Sequence, residues 1–519
     1  MQLQRLKLSS HSSIRLSRAC NISFGPILFL AASCHAQTLT THALSSSDLQ
    51  ADAMILRSAY ETLHPGLYRY NSKRQMDVAF AALDKELDHD RTLQEAFVAF
   101  SEFAAKVRCG HTQANPFNQS KDVVEALFKS STRLPFYFEW LDQRMIVTRD
   151  FTPGYMLPPG TEVARIGSVP TKAVLAKLLS ITRADGANDS KRVAQLAVRG
   201  DSEYESFDLY YPLFFPQKSA SIALQVRRPK SRRAEQIAVK PLTFEQRITP
   251  IKERQAQRRG GGDALFNWKY LPDGSAYLHM PTWALYNSKW NWKGWLNDHL
   301  NEAAKQNSPA LILDLRGNEG GEDVGNQVIR HLIDSPLTLS PMRRLVRYRK
   351  VSDNLAPYLD TWDKSFRDWG TSAVDLSKPW PTAPAEVSYF QLSRYDDDAA
   401  GDVIRPEGTR FRGKVFVLID ATNSSATFQF AQNIQSHRLG TLIGQPTGGS
   451  QRGINGGAFF FLRLPHSGIE MDLPLIGTFP SSPMPDAGVT PDIFVKPTAS
   501  DIADGHDAGL AAAVHAIQQ

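Results

Sequence analysis

The sequence predicts a multi-domain α/β protein whose core is a layered α/β unit with a mostly parallel sheet. A helical unit and a β-rich module precede that core. After about residue 262, β and α signals alternate. Ala310-Leu311-Ile312-Leu313-Asp314-Leu315 reads as a buried strand and Asp323 to Leu332 as a helix, then Val415 to Ile419 as a second buried strand and Ala426 to His437 as another helix. From Asp48 to about Ala105, apolar residues recur at threes and fours (Leu49, Ile55, Leu56, Ala59, Leu63, then Phe97, Phe100, Phe103, Ala104), with His64-Pro65-Gly66 as a break. Between about Leu134 and Lys240 the pattern changes to short β-rich runs such as Phe136-Tyr137-Phe138 and Met145-Ile146-Val147. A chain of 519 residues, 42% hydrophobic and 22% charged, buries a core large enough for two to four domains, and this composition excludes a disordered, collagen-like or multi-span membrane protein.

In chain order, residues 1–36 read as an export signal: Arg5, Lys7, Arg15 and Arg18, then the apolar run Ile22 to Ala32, then small residues to Ala36, with no Asp or Glu. The apolar run is too short to span a bilayer. Leu30-Ala31-Ala32-Ser33-Cys34 offers the alternative of lipidation at Cys34, hence membrane attachment. The expected location is therefore outside the cytoplasm, periplasmic or secreted. Residues 45–125 are expected to form the helical domain, 133–245 the β-rich module and 262–519 the α/β core, with Arg258-Arg259-Gly260-Gly261-Gly262 as a flexible connection.

The formal charge of +6 falls to +2 without the signal, 55 basic against 53 acidic residues. So even a balance gives no phosphate-binding face, and the clusters Arg227 to Arg233 and Arg254 to Arg259 read as solvated surfaces rather than a nucleic-acid site. Cys20 and Cys34 belong to the signal, which leaves Cys109 alone and reads as a buried structural thiol. No zinc helix, paired Cys-x-x-Cys, dinucleotide fingerprint or Gly-x-Ser-x-Gly elbow occurs, so neither metal nor organic cofactor is expected. Gly444 to Ser450 lacks the Lys of a phosphate loop and reads as a structural turn. The run Trp283, Tyr286, Trp290, Trp292 and Trp295 has irregular spacing that favours packing over a cleft lining.

Two strand-to-turn junctions carry chemistry. In Leu313-Asp314-Leu315-Arg316-Gly317-Asn318-Glu319-Gly320-Gly321, side-chain-free residues let backbone N–H groups converge, as an oxyanion hole requires, although a tight βα turn needs the same glycines. In Ile419-Asp420-Ala421-Thr422-Asn423-Ser424-Ser425-Ala426, a Ser at a helix N-terminus is either a nucleophile near the positive end of the dipole or an ordinary N-cap.

These junctions, followed by Leu442-Ile443-Gly444-Gln445-Pro446-Thr447-Gly448-Gly449 and Gly488-Val489-Thr490-Pro491-Asp492-Ile493, resemble the tail-specific, or C-terminal-processing, serine peptidase family, in the branch related to the core of tricorn protease. The resemblance is strong over roughly residues 273–495. It implies a ClpP/crotonase-like core, Ser425 as nucleophile, and an oxyanion hole from Ala426 with Gly320 or Gly321. Many members place a Lys base beyond the Pro-Thr-x-Gly turn, where this chain has Ser450, so a Ser–Lys dyad is not supported. The tricorn-like branch uses a His from the helical segment ahead of the core, and His111 in Arg108-Cys109-Gly110-His111-Thr112 fits. His437 lies twelve residues beyond Ser425, more than three helical turns away. Asp486 is the nearest acid for orienting the imidazole, with Glu319 a second candidate. Leu157 to Pro170 looks like a PDZ-like strand and turn, which adds an extended peptide to a sheet edge or serves as a spacer.

The expected function is thus an exported serine endopeptidase acting on polypeptides. A catalytically inactive peptide-binding protein and a serine hydrolase of non-peptide esters are the alternatives, since an acyl-enzyme apparatus does not by itself choose amide over ester.

Overall fold

The computed structural model describes residues 43–519 except 130–131, 218, 261–264, 287 and 394–401. The signal, Cys20, Cys34 and the cleavage position after Ala36 lie outside the described residues. No helix among the described residues is long and apolar enough to cross a membrane.

The core sheet has the strand order Ile493–Phe494, Thr441–Gly444, Lys414–Ile419, Ala310–Asp314, Ala276–His279, Asn267–Tyr270, parallel throughout except for the last pair. Its central strands read as unbroken apolar runs because both faces are covered. Leu311, Leu313, Val415 and Val417 point into a core formed with the helices Trp292–Lys305, Val324–Arg330 and Ala426–Ser436. Ala310, Ile312, Phe416 and Leu418 point the other way, onto the C-terminal helix Ala508–Ile517. That alternation is the period of two inherent to a strand. The tryptophans pack as expected: Trp283 is wholly buried against Phe430, and Trp290 and Trp295 meet Phe266 edge-on.

The helix Ser46–Leu63 ends at His64 because Pro65 follows, and helices Lys73–Glu86 and Leu93–Lys106 each begin with a capping box, at Ser72/Gln75 and Thr92/Glu95. These helices do not enclose a core of their own. Leu49, Leu56, Phe100 and Phe103 share one apolar cluster with Phe460, Leu462, Leu473 and Leu475. Those partners belong to a second, wholly antiparallel sheet in the order Leu359–Asp360, Asn455–Arg463, Glu470–Pro480, Met342–Val346, Phe390–Leu392, Ala373–Asp375. Arg69 ties the two together, donating to the carbonyls of Arg452 and Thr478 and to Asn455 Oδ1.

The β-rich module is an antiparallel sheet of Phe136–Leu141, Arg144–Asp150, Glu162–Ile166, Ile222–Arg227 and Ala234–Val239, with Val169–Pro170 paired on Glu162–Ile166. After it, the helix Phe244–Gly260 takes in Arg258, Arg259 and Gly260 of the expected connection, whose Gly261 and Gly262 lie outside the described residues. Residues 251–259 are mostly Lys, Glu, Arg, Gln and Ala, all good helix formers.

Candidate active site

The two junctions meet because their strands are neighbours. Lys414–Ile419 and Ala310–Asp314 pair in parallel with Leu418 opposite Asp314, so both chains leave the sheet at the same edge, outside the strand carboxyl ends where α/β folds place their sites. Side chains then stitch the turns together. Asn423 Nδ2 donates to the carbonyls of Leu315 (2.5 Å) and Asn318 (3.0 Å), Thr427 Oγ1 to that of Asn318 (2.9 Å), and Ser424 Oγ to that of Glu319 (3.2 Å).

Ser425 stands at the N-terminus of the helix Ala426–Ser436 with φ 52° and ψ −125°. An N-cap residue takes an extended conformation and accepts a hydrogen bond from the second or third helical N–H. Ser425 does neither: its side chain caps nothing and makes no hydrogen bond among the described residues. A non-glycine residue in this region costs on the order of 1–3 kcal/mol and persists where the surroundings over-determine it. The conformation therefore sets aside the capping alternative and leaves a hydroxyl held out on a strained strand-to-helix turn.

Gly320 packs directly on this turn. A methyl at its Cα would lie 2.7 Å from the Ser424 carbonyl oxygen, 2.8 Å from Ala426 N and 3.1 Å from Ser425 Cβ. Its N–H, however, donates to Asn318 Oδ1 at 2.9 Å. Of the three expected oxyanion donors, the N–H groups of Gly321 and Ala426 are the ones with no hydrogen bond among the described residues. Gly320 supplies the close approach.

His111 follows the helix Leu93–Lys106 on a turn with Arg108 at φ 58°. The loop is clamped from the β-rich module: Gly110 N–H donates to Asp185 Oδ1 (2.8 Å), and the Arg183 guanidinium donates to the Gly110 carbonyl (2.5 Å). His111, Asp185, Lys191, Glu319, Ser424 and Gly448 line one cavity. The imidazole Nδ1 is buried without a hydrogen-bond partner. Asp486 does not provide one. Its oxygens accept from Ser450 Oγ (3.1 Å) and Ala187 N–H (3.2 Å), so the expected direct contact with His111 is not made. The acid whose charge reaches His111 is Glu319, held 2.5 Å from Lys191 Nζ and 3.7 Å from Arg183. Burial alone would raise its carboxyl, but those two cations hold it well below the usual carboxylate range.

Burial, then the Arg183 and Lys191 charges, push the His111 imidazole from its ordinary 6.5 down to about 3, with Glu319 opposing. A depressed value keeps the ring neutral, and so able to accept a proton, across the whole neutral range. We expect the rate of acyl-enzyme formation to stay flat from about pH 8 down to about pH 5, read as a pH–rate profile; an acid limb between 6 and 7 would contradict this assignment. His64, wholly buried and likewise pushed to about 3 by burial and then by the Arg69 charge, adds a pH-dependent contribution to stability. The unfolded chain binds that proton below about pH 6.5 and the folded one does not, so stability falls as pH drops through this window.

The remaining expectations resolve simply. Cys109 is buried, accepts from Asn455 Nδ2 at 3.4 Å, and burial pushes its thiol up to about 11, which makes it structural and unreactive. His437 ends the helix that starts at Ser425, about 18 Å away by helix geometry. The turn Gly444 to Ser450 spends its groups inward, Gly448 N–H on the Asn423 carbonyl (2.6 Å) and Thr447 Oγ1 on Val489 N–H (2.8 Å), which packs the last two sequence motifs together. Sequence reasoning missed Arg183, Asp185, Asn188 and Lys191. Their local signal is turn chemistry in Asp185-Gly186, and nothing local says which distant loops they reach.

Residues 274–493 match the model of peptidase family S41. Among solved structures, mature CPAF complexed with lactacystin is similar at 15% identity and a TM-score of 0.56, covering 91% of this chain and 97% of that one. Mature CPAF alone gives 16% identity and 0.54, covering 91% and 96%. At such identities the likeness is one of fold, and it extends over the helical unit and β-rich module as well as the core. No curated protein sequence matches the chain. The two junction motifs that meet at the sheet edge both lie within residues 274–493, the stretch that is similar to peptidase family S41, and this match supports a serine-type peptidase.

Proposed function

We propose that this protein is an exported endopeptidase that hydrolyses polypeptides through an acyl-enzyme on Ser425 with His111 as general base. The observation that carries the reading is the strained, uncapped Ser425 pressed against Gly320, one residue beyond Ser424, which lines the same cavity as the neutral imidazole of His111. Ser425 Oγ attacks the scissile carbonyl carbon while His111 takes the hydroxyl proton. The carbonyl oxygen becomes an oxyanion, for which the free Ala426 and Gly321 N–H groups are the donors. The C–N bond then breaks and the leaving amine takes the proton from the imidazolium. Water deacylates by the same route, giving its proton to His111 and restoring the Ser425 hydroxyl. Glu319 stabilises the transient imidazolium, and Asp486 holds the Ala187 N–H and the Ser450 hydroxyl nearby.

A panel of unstructured polypeptides and simple esters tests the substrate class. Cleavage of polypeptide at internal bonds by the native chain, absent in Ser425→Ala, is the expected result. Turnover of esters alone transfers the reading to ester hydrolysis. The β-rich module, residues 133–245, is read as a PDZ-like element that presents polypeptide to the site. Export rests on the pattern of residues 1–36, and the mass of the mature N-terminus, beginning at Gln37 or at a lipidated Cys34, decides between soluble and anchored forms.

A further inference from the structure

One short segment of the β-rich module, residues 183–191, touches every part of the site. Arg183 and Asp185 hold the His111 loop, Ala187 N–H meets Asp486, and Asn188 Nδ2 donates to the carbonyls of Thr447 (2.8 Å) and Gly449 (2.9 Å). Lys191 ends the segment. Its side chain is 2% exposed, its Cδ fills the space beside Gly448, and its ammonium donates to Glu319 Oε1 (2.5 Å) and to the Thr422 carbonyl (2.7 Å).

A buried ion pair is weak support for a fold, because desolvation offsets its attraction and an apolar replacement of similar volume is often neutral. The value of this pair lies in what it joins. Thr422 belongs to the turn carrying Ser425, and Glu319 to the turn carrying Gly320 and Gly321. The latter turn has positive φ at Gly317, Gly320 and Gly321 and so has little rigidity of its own. Glu319 is gripped at its carbonyl by Ser424 Oγ and at its carboxylate by Lys191 at 2.5 Å, with the Arg183 guanidinium further off at 3.7 Å.

We propose that Lys191 is a positioning residue for the acyl-transfer step, its ammonium fixing the nucleophile turn and the oxyanion turn to each other through Thr422 and Glu319. This rests on the Ser425–His111 reading above. Lys191 is not itself the base, since its ammonium is engaged by a carboxylate and a carbonyl.

The test is the kinetics of fluorophosphonate reaction at Ser425 in the full mature chain, for the native protein and for Lys191→Met, Glu319→Gln and both together. Misplacing donors by a fraction of an ångström to an ångström costs roughly tenfold to a hundredfold in rate. Lys191→Met is expected to lower the maximal labelling rate by that factor, with half-saturation within about twofold; its melting midpoint falls as well, because Glu319 loses a buried partner, and the double variant, which removes both charges, regains part of that loss. The double variant is expected to be no slower than Lys191→Met, because both changes act through one interaction. The groups facing His111 are Arg183, Lys191, Glu319, Asp185 and Asp472, so removing the Lys191 charge also moves the acid limb upward and Glu319→Gln moves it downward, a pair of opposite shifts that a merely structural role would not produce. A folded Lys191→Met that labels at the native rate overturns the proposal alone. Failure of the native chain to label overturns the acyl-enzyme reading and this proposal with it. Should Lys191→Met not fold, a native labelling rate in Glu319→Gln, or a loss there with no downward shift of the limb, overturns it equally.

Discussion

Ser425→Ala is expected to abolish turnover, by at least about 10⁴-fold, without unfolding the protein. Ser425→Gly is expected to be just as inactive and yet more stable than the native chain by about 1 kcal/mol. The pair separates chemistry from architecture. Both variants remove the hydroxyl, but only glycine adopts φ 52° and ψ −125° without a Cβ penalty. Alanine keeps the strain that serine bears and gains nothing. Urea unfolding of the three proteins reads the difference. Equal stability of all three would mean that the turn is relaxed and that the conformation serves something other than holding a reactive group. A helix cap predicts the opposite order, since replacing a true N-cap serine with alanine costs about 1 kcal/mol.

The second large effect is expected at Gly320. Its φ of +96° disfavours any side chain, and an alanine methyl there has no space between the Ser424 carbonyl and Ala426 N. The neighbours are backbone, so the methyl is accommodated only by pushing the oxyanion turn off the nucleophile turn. Gly320→Ala should therefore lose about 10²–10³-fold in kcat, the scale of one lost oxyanion donor, with KM little changed. Gly317→Ala is the natural control. Gly317 has a similar φ of +82° but open space around its Cα, so it pays the backbone strain without displacing Ser425. Comparable kcat losses at both positions would assign the effect to turn strain rather than to the contact with Ser425.

The core was readable because its information is local. Ala310–Asp314 and Lys414–Ile419 are buried on both faces and announce themselves as apolar runs, and each is followed at once by its functional turn. The antiparallel sheet was not readable for the same physical reason inverted. Asn455–Arg463 and Glu470–Pro480 are buried almost continuously, so they show no alternation, and the helices that cover them lie some 400 residues earlier in the chain. Ser425 could be named but its conformation could not, since a cap and a nucleophile turn use the same residue in the same place. The acid near His111 was not decided by order along the chain: Asp486 is the nearest acid before the last motif, at an offset that does not match the family branch cleanly, and is committed to Ser450 and Ala187, whereas Glu319 becomes relevant only once Arg183 and Lys191 arrive from the β-rich module. That module reads as a separate unit in the sequence, yet its residues 183–191 hold Gly110 beside His111, the Thr447 and Gly449 carbonyls, Glu319 and the Thr422 carbonyl.

The account stands on Ser425 being activated by His111. The measurement that tests it most directly is fluorophosphonate labelling of the mature chain, with the adduct located by peptide mass and the rate compared in His111→Ala. The account predicts a single adduct on Ser425 whose formation slows by at least about 10³-fold in His111→Ala, since an unassisted serine hydroxyl is inert at neutral pH. An adduct on another residue, or a Ser425 adduct formed equally fast without the imidazole, would contradict it.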